Sequence, residues 1–208
     1  MKNKKTFSVR NMTQAAILIA LIVVMTVLNI GNIPVGPIVA TIYQVPVIIG
    51  AIMMGPVMGA VLGGLWGVLC FLLAVTGNTT DVVALTTVQQ SVWLYFLIAF
   101  VPRLLTGLFS GLIFKGLDKA VFKKRYEFSL AITGAVGSLC NTVLYLGSLY
   151  LFIKGLLASI YGIELGAVGA MVMGVATTNG LVEAGVSAVL TLLICKVLFV
   201  VMKRRRAN

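Results

Sequence analysis

The stretch SVWLYFLIAFVPRLLTGLFSGLIFK, residues 91–115, decides the fold class, because it is long and apolar enough to cross a lipid bilayer as a helix. About 20 apolar residues are needed to span about 30 Å of hydrocarbon. The only charge before Lys115 is Arg103, which directly follows Pro102. A charge at this depth is costly, so it indicates a functional site or a structural ion pair.

The rest of the chain has the same character. Of its 208 residues, 60% are hydrophobic and 10% are charged, and the mean hydropathy is +1.11. This composition predicts an all-α integral membrane protein that forms one membrane domain, residues 1–208. Polar interruptions divide it into six predicted transmembrane helices, at residues 12–30, 38–54, 56–76, 91–114, 128–153 and 165–202.

The basic residues predict the topology. Of sixteen, all but Arg103 and Lys154 fall within residues 2–10, 115–125 or 196–206. With six spans these three groups lie on one side, which the positive-inside rule assigns to the cytoplasm. We therefore expect both termini and the basic loop 115–127 to be cytoplasmic. The net charge of +11 is better explained by topology and anionic lipid than by nucleic acid.

Catalytic chemistry has few candidate residues. The chain has no histidine, which excludes imidazole metal sites and Ser-His dyads, and no GxxxxGK[ST] phosphate-binding loop. Its three cysteines, Cys70, Cys140 and Cys195, are odd in number and lie in apolar spans, so we expect them to be packing residues. We predict no catalytic residue, no metal and no cofactor.

Small residues recur at helical spacing. Gly55, Gly59 and Gly63 follow one another every four residues in GPVMGAVLGGLWG, and Ala16 and Ala20 repeat the spacing in the first span. Such ridges let helix backbones approach closely. Two interpretations stay open, packing within this bundle or contact with another membrane subunit.

Polar residues from three spans are predicted to lie at one depth. At a rise of 1.5 Å per residue, Arg103 lies about 18 Å from Lys115. By the same measure Asn141 lies about 20 Å from the start of its span, and Glu183 about 20 Å from Lys196. Tyr145 lies one turn from Asn141, and a further asparagine, Asn179, lies one turn from Glu183.

This polar layer has two interpretations. In one, Arg103 and Glu183 form a structural ion pair between two spans. In the other, the guanidinium faces a cavity and binds an anionic ligand, with the asparagine amides as further partners. Pro102 favours the cavity, because its missing N–H frees a carbonyl one turn earlier in the helix.

Several segments together resemble a known family. They are TQAAILIALIVV, NIPVGPIVATIYQVPVIIGAIMMGPVMGAVLGGLWG, VPRLLTGLFSGLIFKGL, GSLCNTVLYLGSLYLF and TTNGLVEAGVSAVL, which cover most of the chain. The sequence is similar to the substrate-binding S components of energy-coupling factor (ECF) vitamin transporters, and most similar to their pantothenate-binding branch.

The resemblance implies a six-helix subunit of the bacterial plasma membrane. Such a subunit captures a vitamin from outside and works with a transmembrane coupling subunit and two cytoplasmic ATPases. The small-residue motif that docks the coupling subunit matches Ala16 and Ala20, and the glycine ridge is expected to contribute to that face. The resemblance also places the substrate pocket in the outer half, under loops one and three and between helices four to six. The expected substrate-binding residues are Arg103, Asn141, Tyr145, Asn179 and Glu183.

Pantothenate fits this polar set, since it carries one carboxylate, hydroxyls, an amide and a gem-dimethyl group. An S component for riboflavin, pyridoxine or a thiamine precursor is the alternative within the family. A self-sufficient secondary transporter, with Arg103 and Glu183 as an ion-coupled pair, is the alternative from another class.

Overall fold

The computed structural model describes residues 9–35, 38–120 and 126–207 of the chain. Most of the basic cluster 2–10 and part of the loop 115–127 therefore lie outside the described residues. The elements are almost all helical. They are α1 Val9–Val27, β1 Asn32–Val35, β2 Ile38–Thr41, α2 Gln44–Met54, α3 Pro56–Val75, α4 Val82–Gln90, α5 Val92–Ala120, α6 Tyr126–Tyr161, a 3-10 turn Leu165–Ala167 and α7 Val168–Ala207.

Four of these helices, α3, α5, α6 and α7, are long and apolar enough to cross a membrane. Helices α1 and α2 are apolar but shorter. The final predicted span begins with the 3-10 turn Leu165–Ala167 and continues as one unbroken helix, α7, so no hairpin divides it. Helix α6 departs from helical geometry at Ile153 (φ −133°, ψ 25°), where the predicted span ends, and then continues to Tyr161.

The prediction of a helix over residues 38–54 is wrong in its first part. Ile38–Thr41 is a strand that pairs antiparallel with Asn32–Val35, with Asn32 opposite Thr41. We call this pair the hairpin. Its β-branched residues favour strand, and an apolar run of this length does not distinguish the two structures.

Helix α2 is therefore only 11 residues long, about 16 Å at a rise of 1.5 Å per residue. Every residue from Gln44 to Ile52 is buried. It packs against α1, α3, α5, α6 and α7, so it is the central helix of the bundle. A helix that is apolar on all faces is expected in such a position.

The glycine ridge of α3 packs against α5. A Cβ atom on Gly59 would meet the carbonyl oxygen of Gly107, and one on Gly63 would meet that of Arg103. Both glycines are buried within the bundle. This corrects the expectation that Gly59 and Gly63 belong to a docking face, because α5 already occupies the space beside them. Gly55 lies outside this contact, between α2 and α3, with a positive φ of 97° that favours glycine.

The polar segment between the third and fourth predicted spans contains α4. Asp81 is its N-cap, and the amide of Ala84 donates to Asp81 Oδ1 at 3.1 Å. Helix α4 packs against α3, α5 and α6. Residues of the hairpin and of the segment just before α4 line one cavity, so α4 and the hairpin lie at the same end of the bundle, which we call the hairpin end.

Candidate functional site

A cavity of about 210 Å³ lies at the hairpin end. Its walls come from α1, β2, α3, α5, α6 and the segments before α2 and α4. The lining residues are Thr26, Asn29, Thr41, Tyr43, Trp66, Cys70, Leu73, Thr79, Thr80, Asp81, Tyr95, Arg103, Asn141 and Tyr145. The expected position under loops one and three and between helices four to six is thus partly right. Both loop segments line the cavity together with α5 and α6. Among the described residues, however, α7 contributes none to the lining, whereas α1 and α3 do.

Arg103 lies in the wall of this cavity and is only 8% exposed. Its Nη1 donates to the carbonyl oxygens of Ile98 at 3.2 Å and Ala99 at 3.0 Å, on its own helix. The Ile98 carbonyl lies four residues before Pro102, which has no N–H to donate to it. The side chain of Arg103 thus satisfies the carbonyl that the proline frees.

Two aromatic rings contact the guanidinium. Its Cζ lies 4.5 Å from the ring centroid of Tyr145 on α6 and 5.1 Å from that of Trp66 on α3. Tyr43 stacks on Trp66 with the ring centroids 6.3 Å apart. Cation–π contacts of this kind stabilise a buried guanidinium by roughly 0.5–2 kcal/mol. The aromatic rings therefore offset part of the cost of burying the charge.

Arg103 forms no ion pair with Glu183, although both residues are described. Its Nε atom is buried without a hydrogen-bond partner. The ion-pair interpretation of the polar layer is therefore wrong for this structure. The guanidinium presents a charge to the cavity that no carboxylate neutralises at close range.

Glu183 instead contacts the hairpin. Its Oε1 accepts hydrogen bonds from Thr41 N at 3.1 Å and from Thr41 Oγ1 at 2.7 Å. The carbonyl of Thr41 accepts a third bond, from Gln44 Nε2 at 3.0 Å, and the same Nε2 atom donates to Ser138 Oγ at 3.1 Å. Since Thr41 itself lines the cavity, Glu183 lies behind the cavity wall and fixes it.

The other predicted site residues divide in the same way. Asn141 and Tyr145 line the cavity with Arg103, and Thr106 Oγ1 donates to Asn141 Oδ1 at 3.5 Å. Asn179 is half-buried on α7 and is not part of the lining. The structure thus brings three of the five predicted residues together, while Asn179 and Glu183 lie outside the cavity.

Asp81 is a lining residue that the sequence did not indicate as part of the site. Its Oδ2 accepts a hydrogen bond from the hydroxyl of Tyr145 at 3.4 Å. Thr79 and Thr80 line the cavity beside it. An aspartate directly before an apolar run signals a helix N-terminus, so α4 was detectable from the sequence, but its packing over the cavity was not.

Trp66, Cys70 and Tyr95 were also missed, because aromatic and thiol side chains in apolar spans have no distinctive pattern. Cys70 is part of the cavity wall as well as a packing residue. Among the described residues, no group of three or more His, Cys, Asp or Glu side chains is arranged to hold a metal ion. The cavity is suited to a small organic molecule with an anionic group, bound by polar and aromatic side chains.

An almost all-helical membrane protein with a polar cavity at one end, and an unpaired arginine in its wall, defines a membrane-embedded binding protein for a small solute. The family model described as "ECF transporter, substrate-specific component" matches residues 10–195. The chain belongs to this family, as the sequence resemblance predicted.

Two relatives are similar over much of their length. The pantothenic acid transporter PanT of Lactococcus lactis subsp. cremoris (strain MG1363) is 34% identical over 188 residues, which cover 85% of this chain and 87% of that protein. The pantothenate transporter PanT of Leuconostoc mesenteroides subsp. mesenteroides is 33% identical over 121 residues, or 55% of this chain and 54% of that protein. The protein is accordingly a multi-pass protein of the bacterial plasma membrane.

Proposed function

We propose that the protein is the pantothenate-binding component of an ECF-type importer. The observation that carries this proposal is Arg103, a buried guanidinium in the cavity wall with no carboxylate partner. A guanidinium is well suited to bind the single carboxylate of pantothenate. Asn141, Tyr145 and the threonines of the wall are suited to its hydroxyls and amide. The names of both relatives support the same ligand.

The size of the cavity supports a small ligand. Its volume of about 210 Å³ lies below the roughly 300–1,000 Å³ of typical ligand pockets. A flexible, linear molecule suits such a space better than the rigid tricyclic ring of riboflavin. Pyridoxine and thiamine precursors are small, but they offer no carboxylate for Arg103.

The proposed topology has six membrane crossings in one domain, residues 1–208. The four long helices provide four of these crossings and α1 provides a fifth. The sixth consists of the short helix α2 together with the hairpin. Both termini and the basic loop 115–127 face the cytoplasm, because the basic groups then share one side. The hairpin end, with its cavity, faces outward, where a vitamin is captured.

The chain itself has no phosphate-binding loop, so we assign ATP hydrolysis to two separate cytoplasmic ATPase subunits and docking to a transmembrane coupling subunit. Ala16 and Ala20 are exposed on α1 and are proposed for that docking face. Gly55 is half-buried beside Lys115 and remains a candidate at its edge.

Equilibrium titration of the purified protein against a panel of vitamins tests the proposed ligand. We expect saturable binding of pantothenate, with a large loss in Arg103→Gln. Removing a buried charge partner costs 2 kcal/mol or more, so the affinity should fall at least about 30-fold. Arg103→Lys is the matched control, since it keeps the charge and loses the planar fork.

Panthenol, in which an alcohol replaces the carboxylate of pantothenate, separates a binding role of Arg103 from a structural one. We expect weak binding of panthenol that Arg103→Gln hardly changes. If the variant weakens both ligands equally, Arg103 is structural. Saturable binding of a neutral vitamin alone would contradict the pantothenate assignment. Uptake into liposomes without ATP or partner chains would support a secondary transporter instead.

A further inference from the structure

The cavity has two charged residues of opposite sign in its described lining, Arg103 and Asp81. Arg103 is buried in the wall, whereas Asp81 is exposed at the start of α4. A ligand inside the cavity therefore meets a cation at the inner pole and an anion at the mouth. The charges of Arg103 and Asp81 cancel, so the described lining has no excess positive charge that would attract a second anionic group on the ligand.

Tyr145 fixes the separation of the two charges. Its ring lies 4.5 Å from the guanidinium of Arg103, and its hydroxyl donates to Asp81 Oδ2 at 3.4 Å. The aspartate is held by two further contacts. Its Oδ1 accepts from the amide of Ala84 at 3.1 Å, and its own amide donates to Thr79 Oγ1 at 3.3 Å.

These contacts give the mouth of the cavity a defined chemistry. A carboxylate only accepts hydrogen bonds, so Asp81 favours a ligand hydroxyl that donates. The same carboxylate repels an anionic group that is brought beside it, and repulsion of this kind is a common source of specificity. The two neighbouring threonines are neutral and do not offset this repulsion.

We propose that Asp81 is a specificity-determining residue, which restricts the cavity to monoanionic ligands whose end at the mouth is uncharged and donates hydrogen bonds. This inference rests on the proposed function, in which Arg103 binds the carboxylate of pantothenate. The hydroxyl end of pantothenate then lies toward Asp81. A derivative that carries a phosphate on the primary hydroxyl is rejected, because its phosphate carries a charge of about −1.5 to −2 at pH 7.

The test compares the affinities of pantothenate and of pantothenate phosphorylated on its primary hydroxyl. Both ligands are titrated into the wild-type protein and into Asp81→Asn. Asparagine is as good an N-cap as aspartate and keeps an oxygen that accepts from the amide of Ala84, while its NH2 group can donate to the hydroxyl oxygen of Tyr145, so the fold of α4 is preserved. We expect the wild type to prefer pantothenate strongly. In the variant this preference should fall at least about tenfold, because the phosphorylated ligand binds more tightly.

Glu164→Gln is the matched control, because it removes one carboxylate outside the cavity lining, from an exposed residue whose side chain makes no capping hydrogen bond. The inference is overturned if the preference is unchanged in Asp81→Asn, or if both variants reduce it equally, which would indicate a long-range charge effect. In either case the proposed function stands, since pantothenate still binds. If pantothenate fails to bind the wild-type protein, the proposed function fails and the inference fails with it.

Discussion

The guanidinium of Arg103 is stabilised inside the bundle by its immediate neighbours in the chain and in space. Pro102 leaves the carbonyl of Ile98 without an amide donor, and Arg103 Nη1 donates to that carbonyl at 3.2 Å. The rings of Tyr145 and Trp66 contact the guanidinium. These interactions provide hydrogen-bond acceptors for Nη1 and aromatic contacts for the guanidinium, and they leave its positive charge available to a ligand in the cavity. The proline and the arginine therefore act as a pair.

Pro102→Ala separates stability from binding. The new amide competes with Arg103 for the carbonyl of Ile98, so we expect a more stable helix and a less constrained guanidinium. Interior prolines cost about 3 kcal/mol in a helix, and each kcal/mol recovered raises Tm by about 2–4 °C in a protein of this size. We expect Tm to rise while the affinity for pantothenate falls about fivefold, a change of about 1 kcal/mol.

Thermal unfolding and ligand titration of the same preparation measure both effects. Pro46→Ala is the control, because Pro46 lies in the first turn of α2, where an amide has no partner within the helix. That variant should show no rise in Tm. Tighter binding of pantothenate by Pro102→Ala would contradict the proposed coupling between the two residues.

At the scale of elements, the hairpin is tied to the helices by one residue. Thr41 contacts Glu183 on α7 through its amide and hydroxyl, and contacts Gln44 on α2 through its carbonyl. Both partners are buried. Because Thr41 also lines the cavity, the position of the cavity wall depends on the junction of β2, α2 and α7.

Glu183→Ala should loosen this junction. The variant leaves the amide and hydroxyl of Thr41 without their acceptor, and a lost hydrogen bond to a charged group costs about 1.5–3 kcal/mol of stability. We expect faster dissociation of pantothenate and an affinity lower by about fivefold to tenfold. The loss of binding free energy should be smaller than the loss of stability, because Glu183 does not itself line the cavity. Stopped-flow fluorescence of the buried Trp66 beside the ligand measures the dissociation rate.

Glu183→Gln provides the control for charge. Its amide oxygen still accepts both bonds from Thr41, so its dissociation rate should stay close to that of the wild type. Equal losses in the glutamine and alanine variants would show that the carboxylate charge, rather than the tie to Thr41, is what matters.

The same elements show what the sequence was able to predict. Helix α3, Pro56–Val75, matches the predicted span 56–76, because Gly55 and Pro56 end one helix and begin the next. The hairpin was missed, since its short apolar run satisfies strand and helix equally. Counting residues along the helices predicted that Arg103 and Glu183 lie at one depth in the membrane. The count does not show which way each side chain faces. Rotation of a helix about its axis depends on packing, which puts Glu183 behind Thr41.

For the whole molecule, the central position of α2 leaves α1 at the periphery. One face of α1 is buried, through Ala15, Leu18 and Ile22. The opposite face exposes Ala16 and Ala20 at the spacing of one turn. This face, which is the proposed docking face, lies on a different helix from the cavity-forming charges, so we expect capture of the ligand and docking of a partner to be separable by mutation.

Ala16→Trp should separate them. Because Ala16 is exposed, a bulky side chain there meets no internal neighbour, and we expect binding of pantothenate to change less than about twofold, or 0.4 kcal/mol. A close helix contact at this position would be blocked, since small residues allow backbones to approach. We therefore expect loss of pantothenate uptake in cells and loss of ATPase subunits that co-purify with a tagged chain.

Val143→Trp, at a position 66% exposed on α6, is the matched control and should retain both. Normal uptake in Ala16→Trp would place the docking face elsewhere on the bundle.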